Sequence, residues 1–313
     1  MKPLVLGLLA IVLAACSDPA PEFPASEQTA RQLGKSVETR SPAIRPATPE
    51  ADHLRAEWMR IEHAGWETLA QQDEPPLEPA TAAGRDDQGE MPALGIIIDD
   101  LGHNYARGRR VIDMPAPVTL AILPHTAMAA RLAKEASAAG RTVIVHLPMQ
   151  NGANLSPGPG ALFADMDRDT FTATLEDNLE DFGPVAGVNN HMGSLLTTLR
   201  PQMNWLMAEL RERDLFFVDS RTSAQTQAAF AAEEHGVAHI SRDVFLDNEL
   251  SPVALQNAFG RALAEAREKG VAVLIGHPHE QTLAFLERVL PGLEEREGVR
   301  VVAIGELLGQ GRR

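Results

Sequence analysis

From residue 92 onward, short apolar runs alternate with longer segments whose apolar residues recur at helical spacing. The runs are, in order, "LGIIIDD", "PVTLAILPH", "RTVIVHLPM", "VAGVNNHMG", "LFFVDSRT", "AHISRDVFLDN", "VAVLIGHPH" and "VRVVAIGEL". The helical segments cover 126–139, 168–182, 201–213, 222–235, 251–269 and 280–290. This alternation predicts an α/β fold with a parallel sheet and helices on its outer face. Seven or eight such units in about 220 residues favour a closed or nearly closed β/α barrel over an open sheet.

The amino terminus has the pattern of a secretory signal. Lys2 precedes an apolar run from Leu4 to Ala15, which is too short to span a membrane comfortably and ends at Cys16. The segment "LAAC" resembles the bacterial lipobox, in which the cysteine becomes the lipidated first residue of the mature protein. We therefore expect residues 1–16 to be a signal peptide and the protein to be held on the periplasmic side of the cell envelope, with a membrane partner reached through the lipid on Cys16. A plain cleaved signal peptide is the alternative.

Residues 17–91 are rich in Pro, Ala, Glu, Thr and Gln and contain few large apolar residues. Such a composition predicts a mostly disordered linker. One amphipathic helix is expected near 49–72, where Leu54, Trp58, Ile61, Trp66 and Leu69 have roughly helical spacing. The predicted folded domain is then 92–313.

Charge and composition exclude one class of partner. The formal charge is −15, no block of Lys and Arg occurs, and aromatic residues make up 4% of the chain. Nucleic-acid binding needs a basic patch, commonly with aromatic residues among it, so we expect no nucleic-acid partner. The single cysteine allows no internal disulfide.

Polar and ionisable residues follow almost every apolar run at its carboxyl end. In a β/α barrel the carboxyl ends of parallel strands share one face, so residues far apart in sequence converge there. Any one of these residues would be ordinary loop chemistry, but their recurrence at the same phase of the unit favours a shared site. The clusters are Asp99-Asp100, His125, His146, Asn189-Asn190-His191, Asp219-Ser220-Arg221, Asp243 with Asp247-Asn248, and His277 with His279.

The adjacent carboxylates Asp99 and Asp100 need a partner, because like charges this close resist ionising together unless a cation or a shared proton relieves them. Imidazole and carboxylate are good ligands for zinc and other first-row divalent ions, and a catalytic site uses about three of them. We predict that Asp100, His146 and His191 bind a divalent metal, and these ligand types favour Zn²⁺. Asp99 is then the general base that activates water. The pair must lie where the strand breaks, and Gly102 would permit that turn.

A general acid must protonate the leaving group from the opposite side of the substrate. His277 and His279 both follow the strand "VAVLIG", and His277 is favoured because it lies closer to the strand. Asp247 or Asp219 would orient this histidine. The predicted set of substrate-binding and orienting residues is Asn190, Asp219, Arg221, Arg242 and Asp247. A structural ion-pair network at the barrel mouth is the alternative for the residues between 219 and 247.

Residues 92–313 resemble the divergent branch of the polysaccharide deacetylases. The motifs that carry the resemblance are, in order, "IIIDDLG", "LAILPH", "VIVHLPM", "GVNNHMGS", "FFVDSRT", "VFLDN" and "IGHPH". The resemblance implies a distorted seven-stranded β/α barrel and a metal-dependent hydrolase ancestry. In that chemistry, water attacks an N-acetyl or O-acetyl carbonyl of a glycan.

The mainstream branch of this family implies roles for particular residues. Its first motif carries a base aspartate and then a metal-binding aspartate, which correspond to Asp99 and Asp100, and its acid histidine corresponds to His277. Its second motif has two histidines separated by three residues. Here His146 is followed by Gln150 at the second position, and His191 would replace the missing ligand.

Three functions follow from these patterns. The leading one is a metal-dependent deacetylase, or a related amide or ester hydrolase, that acts on an envelope glycan. The second is a non-catalytic envelope lipoprotein that keeps the barrel in order to bind a glycan or a partner protein. The third is a phosphoester hydrolase, because metal sites of Asp and His also suit phosphoryl transfer.

Overall fold

The computed structural model describes residues 91–310. The predicted signal peptide with Cys16, the predicted linker up to residue 90 and the helix expected near 49–72 lie outside these residues. The strands of the described part are β1 (Ala93–Leu101), β2 (Thr119–Ile122), β3 (Val143–Met149), β4 (Gly187–Met192), β5 (Phe216–Asp219), β6 (His239–Ser241), β7 (Val244–Phe245), β8 (Val271–Gly276) and β9 (Arg300–Val302).

The strands form one curled parallel sheet with the order β6-β5-β4-β3-β2-β1-β8-β7, and β9 pairs with the first three residues of β1. The two end strands, β6 and β7, follow each other directly in the chain. Between them the Arg242 N–H donates to the carbonyl of Asp219, the last residue of β5, and the Asp243 N–H donates to the Val273 carbonyl in β8, both at 2.9 Å. Segment 239–245 thus bridges the two edges of the sheet as one kinked strand. Counted in this way the barrel has seven strands, with β9 added beside β1.

Helices follow most of the strands and cover the outside of the sheet. They are α1 (Tyr105–Ile112), α2 (Ala129–Ala138), α3 (Arg168–Glu180), α4 (Arg200–Glu212), α5 (Ala228–His235), α6 (Pro252–Lys269), α7 (Glu280–Val289), α8 (Leu293–Glu297) and α9 (Ile304–Gln310). The starts of α1, α3 and α6 are capped by side chains of Asn104, Asp167 and Ser251, which each accept a backbone N–H of the first turn.

The alternation of side chains along the strands divides the core in two. On β1, Leu94, Ile96 and Ile98 pack with the helices, whereas Ala93 and Ile97 belong to a second cluster built almost entirely from strand residues. Successive residues of a strand point to opposite faces, so this second cluster is the barrel interior. Asp99 continues the inward series from residues 93, 95 and 97 and therefore faces the interior at the carboxyl end of the strand.

Helix α9 closes the amino-terminal end of the barrel interior. Its Ile304 and Leu307 belong to the interior cluster, and a Cβ at Gly95 would lie 2.5 Å from the Ile304 Cδ1 atom. The predicted α/β class and the distorted seven-stranded β/α barrel are thereby confirmed. Within residues 91–310 there is no helix with the length and apolar character needed to cross a bilayer.

Candidate metal centre and active site

The two adjacent carboxylates lie at a bulge inside β1. Ile97 and Ile98 pair with Thr119 and Leu120 of β2, but Leu101 pairs with Ile122, so β1 contains one extra residue. Asp100 has a φ of 55°, in the left-handed region that aspartate tolerates better than most residues. The sequence predicted that the pair lies where the strand ends. The structure instead keeps both residues within the strand, and the bulge turns Asp100 toward the same site as Asp99.

Three ligand atoms converge at this bulge. The Asp100 Oδ1 atom lies 3.0 Å from His191 Nδ1 and 3.2 Å from His146 Nε2, and these two nitrogens are 3.1 Å apart. His146 is on β3 and His191 on the neighbouring β4, one inward position further toward the carboxyl end. The structure thus brings together the three side chains that the sequence analysis selected as metal ligands.

The triangle of ligand atoms fits a small divalent ion. With metal–ligand bonds of about 2.05 Å, the edges of a tetrahedral zinc site are about 3.3 Å. In addition, Asp100 Oδ1 is buried and makes no hydrogen bond of acceptable geometry within residues 91–310, which is unusual for a carboxylate oxygen. His146 is buried, whereas Asp100 and His191 are partly exposed, so the site opens toward solvent on one side.

A buried amide connects the metal site to the candidate base. Asn189 donates its Nδ2–H to Asp99 Oδ1 at 2.8 Å, and its Oδ1 atom lies 2.8 Å from His146 Nδ1. Because the amide nitrogen is used toward the carboxylate, the amide oxygen must accept from His146, whose Nδ1 therefore carries the proton. The lone pair of His146 is then on Nε2, which faces Asp100 and His191. The sequence analysis placed Asn189 in a polar cluster but assigned it no role.

Burial and charge set the protonation of the site. Burial raises the pKa of the Asp99 carboxyl above its usual value, against the opposing charges of His146 and His277. Burial would also raise the pKa of Asp100, but the contacts with His146 and His191 outweigh it and hold that pKa well below its usual range. Asp100 is thus the ionised ligand, and Asp99 is the carboxyl that takes up a proton more readily.

The predicted acid histidine is held by an aspartate on the other side of the site. His277 follows β8, and both its ring Nδ1 (3.0 Å) and its backbone N–H (2.6 Å) contact the Asp247 carboxylate, which also accepts from the Thr282 hydroxyl. Burial disfavours the imidazolium, but the charge and hydrogen bond of Asp247 outweigh it and raise the pKa of His277 to about 10. His277 therefore carries a proton that it can give. His279 is exposed, and within residues 91–310 its ring makes no hydrogen bond to a carboxylate.

Of the two aspartates considered for orienting the histidine, Asp247 does so and Asp219 does not. Asp219 has the same strand phase as Phe217, which packs with the helices, and it accepts hydrogen bonds from the Thr226 hydroxyl and the Arg221 N–H. This places Asp219 in a loop network behind β5. Successive strand residues point to opposite faces, and Val218 faces the interior. The next residue, Asp219, must therefore face outward.

The remaining predicted residues hold the loops that surround the site. Asn190 bonds the Ser220 N–H and the Met192 carbonyl, so it joins the ends of β4 and β5. The Arg242 guanidinium donates to the Ser220 and Arg221 carbonyls and covers the ring of Phe245, which in turn stacks on His277. Arg221 itself has a φ of 49°. The alternative of a structural network at the barrel mouth describes these contacts better than direct substrate binding.

Gln150, at the position where the mainstream family has its second histidine ligand, has a different task. Its Oε1 atom accepts the Ala164 N–H at 2.8 Å, and its carbonyl accepts from Leu195 and Leu196. The side chain is therefore used to hold loop backbone, and His191 from the next strand is the second imidazole beside Asp100.

A cleft of about 210 Å³ leads to the site between the ends of β1 and β8. It is lined by Asp100 and His277 together with His103, Arg107 and His279. A second cavity of about 240 Å³ lies at the opposite end of the barrel, beside the start of β5 and α9, and no histidine lines it. The chemistry-bearing residues thus mark the first cleft as the functional one. Its Arg107 was missed because it lies on a helix and not at the end of an apolar run.

Comparison with known proteins agrees with this arrangement. Residues 96–308 match the family model described as divergent polysaccharide deacetylase. An uncharacterized protein of Haemophilus influenzae is 34% identical over 214 residues, which cover 68% of this chain and 76% of that one. The uncharacterized protein YibQ of Escherichia coli K12 is 35% identical over 203 residues, 64% of this chain and 63% of its own length.

Among solved structures, an uncharacterized protein of Agrobacterium tumefaciens C58 superposes with a TM-score of 0.67 at 20% identity, covering 70% of this chain and 90% of that one. A likeness at this identity shows the fold alone. The family match over residues 96–308 goes further. The chain belongs to the divergent polysaccharide deacetylase family.

Proposed function

We propose that this protein is a metal-dependent hydrolase that removes acetyl groups from an envelope polysaccharide or a related amide or ester substrate. One observation carries the proposal: the Asp100, His146 and His191 ligand atoms lie within 3.2 Å of one another, beside the buried Asp99 and across from the Asp247–His277 pair. A metal site, a base and an acid are the groups that acyl hydrolysis needs.

Asp100, His146 and His191 would hold the ion, and zinc is the metal that best suits one carboxylate and two imidazoles. When bound, it would polarise the acyl carbonyl and lower the pKa of water in the site. Asn189 keeps His146 in the tautomer whose Nε2 lone pair faces the ion position.

The protein's own groups then move the protons. Asp99 takes a proton from the attacking water as the water oxygen bonds to the acyl carbon. His277, oriented by Asp247, gives a proton to the sugar nitrogen or oxygen as its bond to that carbon breaks. The products are acetate and the free amine or hydroxyl, so atoms and charge balance.

The cellular setting rests on the sequence before residue 91. A lipid on Cys16 and a tether of about 75 residues would hold the domain at a membrane and let it reach glycan in the periplasm. Incorporation of labelled fatty acid into the full chain, lost in Cys16→Ser, tests this part on its own.

Zinc content and acetate release test the site. After dialysis, the purified protein should retain about one zinc per chain and release acetate from an N-acetylated oligosaccharide. His146→Ala and His191→Ala should lose both properties, whereas His235→Ala, which removes a histidine on α5, should lose neither.

Other outcomes decide between the functions that the sequence left open. Bound zinc without acetate release from any acetylated glycan would favour the non-catalytic binding protein, and release of phosphate from a model phosphoester would favour the phosphoesterase. Absence of zinc binding would overturn the proposal.

A further inference from the structure

We infer that the substrate is an anionic glycan whose carboxylate is bound by Arg107 in the cleft beside His277; this inference rests on the proposed function and extends it to the substrate class. The first observation is the charge of the cleft. The protein carries a net charge of −15, yet the one acidic residue that lines this cleft is Asp100, which we assign to the metal. The other ionisable lining residues are Arg107 and three histidines.

The second observation is that Arg107 has no carboxylate partner among residues 91–310, unlike its neighbours on α1. Arg109 pairs with Asp113, and Arg110 pairs with Glu280 and Glu287 at 2.8 Å and 2.7 Å. Arg107 is exposed; its backbone N–H donates to Asn104 Oδ1, and its guanidinium makes no hydrogen bond within residues 91–310. Its guanidinium is permanently charged and presents a planar pair of donors that matches a carboxylate.

The surroundings of Arg107 favour an anion as well. The cleft lies where both α1 and α7 begin, and helix amino termini carry partial positive charge. The Arg110 pairs with Glu280 and Glu287 tie α1 to α7, so the two walls of the cleft are held together. His103 and His279 are exposed on either wall and offer further N–H donors.

Aromatic stacking, the usual way to hold a neutral sugar, is missing from the cleft. Of the large apolar side chains exposed within residues 91–310, the one aromatic is Phe230 on α5, which does not line it. Charge is therefore the main means of recognition that the cleft offers. Because Arg107 and His277 line the same cleft of about 210 Å³, the carboxylate and the acyl group belong to the same sugar or to neighbouring sugars.

Binding of two defined probes tests the inference without turnover. The zinc-loaded full chain carrying Asp99→Asn is titrated calorimetrically with a hyaluronan tetrasaccharide, which alternates N-acetylglucosamine and glucuronate, and with the neutral, fully N-acetylated chitotetraose. We expect the carboxylated probe to bind about tenfold more tightly, because hydrogen bonds to charged groups contribute more than neutral ones. The preference should shrink as salt is raised from low to physiological ionic strength and above.

Substitutions then assign the preference to Arg107. Arg107→Glu should abolish or reverse it and Arg107→Gln should reduce it, while Arg261→Glu, the same charge change on the exposed side of α6, should leave it intact. Zinc content and the thermal unfolding midpoint of each variant show that the site and fold persist.

Equal affinities for the two probes, no binding of either probe, or a preference unaffected in Arg107→Glu would overturn the inference. Failure of the proposed function looks different: the carboxylated probe would still bind through Arg107, but the wild-type protein would release no acetate from it.

Discussion

Replacing Asn189 by leucine should separate metal binding from folding. The side chain is fully buried and makes hydrogen bonds of 2.8 Å to Asp99 and 2.8 Å to His146. Leucine has a similar size but no polar atoms. The variant therefore removes the acceptor that fixes the His146 tautomer and the donor that orients Asp99, while the strand can keep its place in the sheet.

The magnitude follows from these two contacts. Loss of a partner that holds a metal-ligating histidine weakens metal binding by about 10- to 100-fold, or about 1.4 to 2.8 kcal/mol. In the metal-free protein, two buried groups lose their partners at about 1–3 kcal/mol each, so the free energy of unfolding should fall by about 2–6 kcal/mol.

Competition with a chelator of known affinity measures the zinc dissociation constant under conditions where circular dichroism shows each variant fully folded. Asn178→Leu is the matched control, because Asn178 is equally buried but its amide bonds Gly160 and His125, neither of which belongs to the proposed metal site. It should lose stability and keep its zinc affinity.

A second substitution at the same position sharpens the test. Asn189→Asp keeps an acceptor for His146 and loses the donor to Asp99, so it should recover zinc affinity while acetate release stays low. Burial lowers the pKa of the His146 ring, but contacts with Asp99 and Asp100 outweigh it and raise that pKa, so the ¹⁵N shifts of metal-free wild type should report the Nδ1–H tautomer at a pH high enough for the ring to be neutral. A zinc affinity of Asn189→Leu within twofold of the wild type would refute the reasoning and leave Asn189 a purely structural residue.

Other expectations concern the proposed acid His277, its pair with Asp247, and the packing of Gly95 against α9. His277→Gln should lower the rate of acetate release by about 10²- to 10⁴-fold and leave zinc content unchanged, as measured by elemental analysis. Because the folded-state pKa of His277 is raised to about 10 from 6.5, its pair with Asp247 contributes stability fully below about pH 6.5 and loses it as the pH rises toward 10. Urea unfolding of chelator-treated protein should therefore show a steeper decline over this range in the wild type than in His277→Gln; equal slopes would contradict the assignment. Gly95→Ala should cost about 1–3 kcal/mol in the same assay, because its Cβ would lie 2.5 Å from Ile304, whereas Gly260→Ala meets open space on α6 and should stabilise by up to about 1 kcal/mol.

The fold was predictable from sequence because its signal is repeated. Each apolar run is followed by a helix, and a parallel sheet is the arrangement that such repetition allows. What the runs do not reveal is that segment 239–245 pairs with β5 through its first half and with β8 through its second. That division depends on the curl of the whole sheet, which no local pattern encodes.

The convergence of Asp100, His146 and His191 could be predicted for a similar reason, since all three follow apolar runs. The bulge that turns Asp100 toward the same site as Asp99 could not be predicted, because the sequence pattern does not show that an aspartate adopts the left-handed conformation. Asn189 was listed only as a member of a polar cluster, because the sequence does not show which of the two adjacent asparagines faces His146. Its importance comes from lying opposite His146 in the register of β3 and β4.

The kinked strand at 239–245 also has a mechanical consequence. This segment closes the barrel through three residue pairs with β5 and two with β8, whereas β1 and β8 share six pairs. Local opening begins where backbone pairing is sparsest. Asp247 lies only two residues beyond Phe245, where this segment ends. The orientation of the His277 imidazole, which Asp247 holds, therefore depends on the strand pairing with the fewest residues, and a ligand that stabilised this pairing would also orient the imidazole.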